Sequence, residues 1–270
     1  MSDSLRHRVA TAAVLIAALL AVLFALPARA TLGVLTLIVL LGAWEWSAFL
    51  KSGRRGVRIG YVLLIGAALP LAWRAALTRA GLEWLLGAAA LWWAVALGWI
   101  VFAPRRAAAA SAALAGLCAL VPAWLALARL RLAGPRGAEW VLFCLLLVWM
   151  ADIGAYFAGR RFGRRRLAPE VSPGKTWEGV LGGIAACIPV AVGGSFWFSV
   201  PLGGFLVLCL AAVAASIVGD LTESLLKRFA GVKDSGTLFP GHGGVMDRID
   251  SLTAAAPVLL LGLTVLGVLA

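Results

Sequence analysis

The chain has 270 residues, of which 63% are apolar or aromatic and only 13% charged, with a mean hydropathy of +0.99. Soluble domains carry about a quarter charged residues, so an ordinary globular enzyme, a disordered chain and a disulfide scaffold are all excluded, and a polytopic membrane protein remains. The formal charge of +12 does not indicate a nucleic-acid partner, because the 24 Lys and Arg sit in short gaps between apolar runs, where they set membrane topology.

About 20 apolar residues cross a bilayer. On that measure the sequence predicts an all-α helix bundle of nine transmembrane helices, near 9–27, 31–50, 57–77, 81–103, 107–128, 139–159, 179–199, 203–226 and 251–270. Pro70 and Arg74 weaken the third and the fifth is rich in alanine, which leaves eight as the alternative count. With the N-terminus in the cytoplasm, the inside segments hold 18 Lys and Arg and the outside segments 6, a bias that supports nine spans. Residues 1–30 also resemble a signal peptide ending Ala28-Arg29-Ala30, but the apolar stretch Val9 to Leu26 exceeds the usual 7–15 residues or so, which favours a retained helix.

No repeat and no long polar linker divides the chain, so 1–270 reads as one membrane domain, with N-terminal transmembrane helices over 1–140 and a catalytic part over 141–270. Cys118, Cys144, Cys187 and Cys209 lie in apolar runs without a C-x-x-C pair and read as packing residues. The acids are unevenly placed: 8 of 12 follow residue 150.

Glu45 stands between Trp44 and Trp46 and reads as an interfacial acid in an aromatic belt. Asp152 in the sixth span and Asp220 in the eighth both approach the cytoplasmic face. An ionisable group in a span costs about 2.5–3.5 kcal/mol on insertion scales, so such a group faces a partner or a polar cavity. Ser224 and Lys227 continue the helical face of Asp220, and Glu223 can pair with Lys227 at i+4.

The segment 160–179, GRRFGRRRLAPEVSPGKTWEG from Gly159, holds six basic residues and places Ser172 and Lys175 just before a helix near Trp177, an anion-binding arrangement. Gly174-Lys175-Thr176 resembles the end of a P-loop. The full pattern would need glycine at Pro169 and a preceding strand, and no strand is expected, so a P-loop ATPase is rejected.

The last loop, FAGVKDSGTLFPGHGGVMDRID over 229–250, contains five glycines, a histidine and three aspartates. Gly241, Gly243 and Gly244 permit close approach of backbone N–H groups to an anion, while Asp247 and Asp250 can share a helical face. Hard oxygen ligands beside such amides suggest Mg²⁺ and a polyphosphate, and Mg²⁺ takes only one or two carboxylates plus substrate phosphates. Asp220 and Asp247 are the expected ligands, with Asp250 a third ligand or a partner of Arg248. Two ions between them would suit in-line displacement at phosphorus. Lys175, Lys227, Arg228, Lys233 and Arg248 would neutralise phosphate oxygens, Ser172 and Ser224 would donate hydrogen bonds, and His242 would orient a phosphate or the loop.

Residues 224–250, S-L-L-K-R-F-A-G-V-K-D-S-G-T-L-F-P-G-H-G-G-V-M-D-R-I-D, resemble the signature of the phosphatidate cytidylyltransferase (CDP-diacylglycerol synthase) family, as do S-P-G-K-T-W-E-G at 172–179 and the aspartate of V-W-M-A-D-I-G-A-Y at 148–156. The resemblance implies transfer of a cytidylyl group from CTP to phosphatidic acid, with Mg²⁺, in a cavity of the inner membrane open to the cytosol, by an enzyme that forms a homodimer. Cytosine and diacylglycerol come only from that resemblance. Asp152 would then hold a lysine or the nucleotide. The number of ions, and whether one is monovalent, stays open.

Two other classes compete. A CDP-alcohol or polyprenyl-phosphate phosphotransferase should show D-G-x-x-A-R with G-x-x-x-D-x-x-x-D, or an adjacent Asp-Asp pair, and the chain has neither. A cation-coupled transporter would use Asp152, Asp220 and Glu223 as ion sites and should show related half-sequences, which are not found.

Overall fold

The structure, a computed structural model, describes residues 14, 16–236 and 243–269. Helix α1 is described over 16–24. It is followed by α2 (Ala28–Trp46) with a 3₁₀ turn Ser47–Leu50, α3 (Arg55–Ala75), α4 (Arg79–Phe102), α5 (Ala109–Arg131), α6 (Gly137–Phe162), strands β1 (Arg166–Ala168) and β2 (Ser172–Thr176), α7 (Trp177–Phe198), α8 (Leu202–Ala230) and α9 (Met246–Val265).

Eight of these helices, α2 to α9, are long and apolar enough to cross a membrane, so this is a multi-pass helical membrane protein. Of the first expected span, 9–27, residues 16–24 are helical and those up to 13 lie outside the described residues. The eight match the expected spans to within a few residues. The largest shift is in the last, which begins at Met246 rather than 251 and so puts Asp247 and Asp250 on its first turns.

Helices α5 and α9 are the most enclosed and α3 the least, with α9 packed against α4, α5, α6 and α8. Pro70, Pro122, Pro189 and Pro257 lie inside helices, as neighbouring helices in a bundle allow. All four cysteines are free, and Cys144, Cys187 and Cys209 are buried.

Small residues set the closest contacts. A methyl group at Gly183 would lie 2.8 Å from the Ala151 carbonyl oxygen, so α7 sits almost backbone to backbone on α6. Gly219 does the same on α8, where a Cβ would stand 2.7 Å from the Asp250 carbonyl oxygen. That approach draws α8 and α9 together beside Asp220. Helix α8 ends at Gly231 (φ +74), whose left-handed backbone turns the chain away with Val232 N–H donating to the Lys227 carbonyl at 3.0 Å.

The segment after α6 departs from expectation, because it contains a strand pair. β1 and β2 run antiparallel, with Arg166 opposite Thr176 and Ala168 opposite Ser172. Val171 and the Pro169-Glu170 turn make it a closed hairpin: Val171 is buried, and its N–H donates to the Ala168 carbonyl at 3.1 Å. The hairpin is lashed to α7 by Glu178, whose carboxylate accepts from the backbone N–H groups of Arg164 (3.0 Å) and Arg165 (3.2 Å).

Candidate active site

Lys175 lies within β2, two residues before the first residue of α7. The hairpin carries it across to α8, where its ammonium pairs with Asp220. Ser224, one turn further along α8, stands 3.4 Å from the other carboxylate oxygen of Asp220. Asp152 on α6 acts electrostatically on both Asp220 and Lys175. Asp152, Lys175 and Asp220 border a cavity of about 510 Å³ between α6, the hairpin, α7 and α8. Gly159, Gly179 and Gly183 keep one wall close to bare backbone, and Tyr156, Arg160 and Arg166 also line it.

The expected anion site at the α7 N-terminus is not open. Thr176 caps it, its hydroxyl accepting from the Gly179 N–H at 3.1 Å, and Lys175 is directed to Asp220 instead. A strand does precede this helix, against expectation. Gly174, Lys175 and Thr176 lie in the strand itself, however, so no phosphate loop joins strand to helix.

A second lysine centre lies where α8 meets α9. Lys227 donates to Glu223 at 2.7 Å, the i+4 pair expected from the sequence, and to Asp247 at 2.8 Å. Glu223 is buried and Lys227 and Asp247 are largely so, the side chains of Lys227, Glu223 and Asp247 being 15%, 1% and 10% exposed. The other oxygen of Asp247 accepts from Ser235 N–H (3.1 Å), Ser235 Oγ (2.9 Å) and Gly244 N–H (2.8 Å). The Gly244 amide is thus committed to Asp247 rather than open to a phosphate. Gly243 adopts φ +78, and a side chain there would press on the same carboxylate. His242 and Gly241 lie outside the described residues.

Asp220 and Asp247 therefore take different lysines, and Asp247 does not line the cavity. Asp250 joins the two centres. Its charge acts on both Asp220 and Glu223, while one of its oxygens accepts from the Ser251 N–H at 2.7 Å. Arg228 is exposed and hydrogen-bonds the Val171 carbonyl at 3.4 Å, at the tip of the hairpin. Lys233 and Arg248 are exposed, and Ser172 is half-buried at the start of β2.

Glu45 departs most from the sequence reading. It is no interfacial acid: it is 7% exposed, its Oε2 accepts from Met246 N–H at 2.8 Å, and Ser235 Oγ lies 3.5 Å away. The available signal was a lone acid within an apolar helix, whose desolvation requires a partner. The partner, a backbone amide 201 residues on, has no sequence signature.

Six carboxylates (Glu45, Asp152, Asp220, Glu223, Asp247, Asp250) are thus linked with two lysines through a chain of hydrogen bonds and charge interactions, and Glu223 Oε1 is buried with no hydrogen-bond partner. Among the described residues no group of three or more His, Cys, Asp or Glu is arranged to hold a metal. Such an excess of hard oxygen suits a cation that completes its shell with water and phosphate.

Membrane-length helices that bring acids and lysines together beside a cavity define a polytopic membrane enzyme of phosphate chemistry. The profile of the cytidylyltransferase family matches residues 6–266, and the chain belongs to that family. It is 40% identical to the phosphatidate cytidylyltransferase of Haemophilus influenzae, over 94% of this chain and 96% of that protein. It is 41% identical to the phosphatidate cytidylyltransferase of Pseudomonas aeruginosa, over 94% and 95% of the two chains. The protein of the same name from Brucella suis is 47% identical over 51% of each.

Proposed function

We propose that the chain transfers the cytidylyl group of CTP to phosphatidate, giving CDP-diacylglycerol and pyrophosphate, and that the paired acid–lysine centres of α8 and α9 carry the reaction. Family membership and the names of relatives aligned along nearly the whole chain support the substrates. The observation that carries the assignment to these residues is the bridge of Lys227 between Glu223 and Asp247, joined through Asp250 to the Lys175–Asp220 pair.

In this reading a phosphate oxygen of phosphatidate attacks the α-phosphorus of CTP, and the bond to the β-phosphate oxygen breaks as pyrophosphate leaves in line. The phosphomonoester is already largely ionised at neutral pH, so no general base is required. Lys175 and Lys227, each held by carboxylates before substrate arrives, turn their ammonium groups to phosphate oxygens as charge develops. Their poise within a partly closed site makes each charge count for more than it would in water. Ser224 and Ser172 donate hydrogen bonds, while Arg228, Lys233 and Arg248 draw the triphosphate to the surface of the site.

Asp220, Asp247 and Asp250 would hold Mg²⁺, which when bound would supply neutralisation of phosphate charge. The unpartnered Glu223 oxygen and the excess of carboxylates fit such a cation. The cavity beside α6 and α7 suits the phosphatidate headgroup. Ile153, Phe157, Trp177 and Leu181 are exposed on the same two helices, which lets acyl tails stay in hydrocarbon. The basic excess of the predicted inside loops supports a site at the cytoplasmic side of the inner membrane, and a homodimer accords with the family resemblance.

The test supplies purified protein in phosphatidate-containing vesicles with CTP labelled at the α-phosphate. The reading requires label in lipid with one pyrophosphate released per lipid formed. Label appearing only as free CMP, or inside the vesicles as CTP, would contradict it.

A further inference from the structure

Glu45 comes from the N-terminal half, which contributes no other acid to the cluster, yet its carboxylate reaches the first turn of α9. The first N–H groups of a helix have no partner within it and must find one outside. In α9 Glu45 meets this need by taking the Met246 N–H at 2.8 Å, while Asp247, on the same first turn, takes the N–H of Gly244 just ahead of the helix at 2.8 Å. The same two acids share the Ser235 hydroxyl, at 2.9 Å and 3.5 Å. Ser235 and Gly244 flank the glycine-rich segment, so both of its ends are fastened to one carboxylate pair.

The fit is closed by glycine. At Gly236 and at Gly244 an added methyl group would collide with the Glu45 carboxylate itself. Glu45 is in turn fixed from its own side. Arg58 donates to the Trp44 carbonyl and to Ser47 Oγ, both at 2.9 Å, and Trp46 Nε1 donates to the Ala112 carbonyl at 2.8 Å. These bonds tie the end of α2 to α3 and α5.

From this we infer that Glu45 is a positioning residue for the cytidylyl transfer: it holds Ser235 and the Met246 N–H in place and thereby presents Asp247 to the nucleotide phosphates. Glu45 touches no reacting atom. It acts through Met246 N–H and Ser235, one residue from Asp247 on one side and bonded to it on the other. The inference rests on the placing of Asp247 in the nucleotide centre, and it assigns the nucleotide rather than the lipid to this side of α8.

The test is a split of kinetic constants. Initial rates are measured against CTP at saturating phosphatidate, and against phosphatidate at saturating CTP, for the parent and for Glu45→Ala, Glu45→Gln and Gly236→Ala. Loss of the clamp in Glu45→Ala should raise the KM for CTP at least tenfold while the KM for phosphatidate stays within twofold. Glu45→Gln retains an acceptor for Met246 N–H and should recover most of the loss. Gly236→Ala displaces the native carboxylate and should reproduce the CTP effect, so it decides the matter if Glu45→Ala does not accumulate in membranes. An unchanged KM for CTP in whichever of the two is folded, or a parallel rise in both constants, would overturn the positioning role. The failure is separable from that of the site itself: an active Asp247→Asn refutes the nucleotide centre, whereas an inactive one beside an unaltered Glu45→Ala refutes only the clamp.

Discussion

Lys227 lies 2.8 Å from Asp247 and 2.7 Å from Glu223, so one ammonium group balances two carboxylates belonging to two helices. Breaking a buried ion pair by removing one partner leaves an uncompensated charge and costs about 3–5 kcal/mol. Lys227→Met should therefore be destabilised by that order as well as inactive. Adding Glu223→Gln should restore much of the stability and none of the turnover. Thermal denaturation in detergent, run beside the lipid-labelling assay, checks both statements.

Lys175 presents the contrasting case. It and Asp220 are 28% and 25% exposed at the cavity, and pairs open to solvent contribute at most about 1 kcal/mol. Lys175→Ala should melt within a few degrees of the parent, yet lose turnover by about 10²-fold, as removal of a charge aimed at a developing oxyanion does. A large drop in melting temperature would show that the pair serves the fold instead.

Contact between α8 and α9 beside Asp220 depends on Gly219. A methyl group there would stand 2.7 Å from the Asp250 carbonyl oxygen, and overpacking of this kind costs about 1–3 kcal/mol. Gly219→Ala should lower stability by that amount and reduce turnover by moving Asp250 relative to Asp220. Gly203, on the same helix, has open space around its Cβ position, so Gly203→Ala should be neutral or slightly stabilising. Melting curves of the two variants form the comparison.

The Arg105–Glu170 bridge, at 2.9 Å, links the α4–α5 connection to the hairpin tip with side chains 84% and 49% exposed. Its loss in Arg105→Ala should cost under about 1 kcal/mol and leave turnover at the parental level. A marked fall in activity would mean that the hairpin needs this anchor to deliver Lys175.

The spans were legible because a bilayer imposes a length and an apolar content that the residues display one by one. The i+4 pairing of Glu223 with Lys227 was legible for the same reason: both residues lie on one helix face. What escaped depended on contacts between distant segments. The hairpin is invisible to periodicity, since Arg166–Ala168 and Ser172–Thr176 are short, basic and interrupted by proline. Gly244 looked like an open amide because nothing in the sequence tells that Asp247 folds back onto it. Glu45 looked interfacial because its two tryptophan neighbours fit an aromatic belt as well as they fit a buried helix end.

The account stands most directly on Asp220 and Asp247, which sit on two helices and answer to two different lysines. The decisive measurement is transfer of α-labelled CTP into phosphatidate vesicles by Asp220→Asn and Asp247→Asn, each verified as folded by its melting curve and titrated with Mg²⁺. Loss of at least about 10²-fold in lipid labelling for both, not recovered by added Mg²⁺, is the predicted result. Retention of half the parental rate by either variant would contradict the placement of the reaction where α8 meets α9.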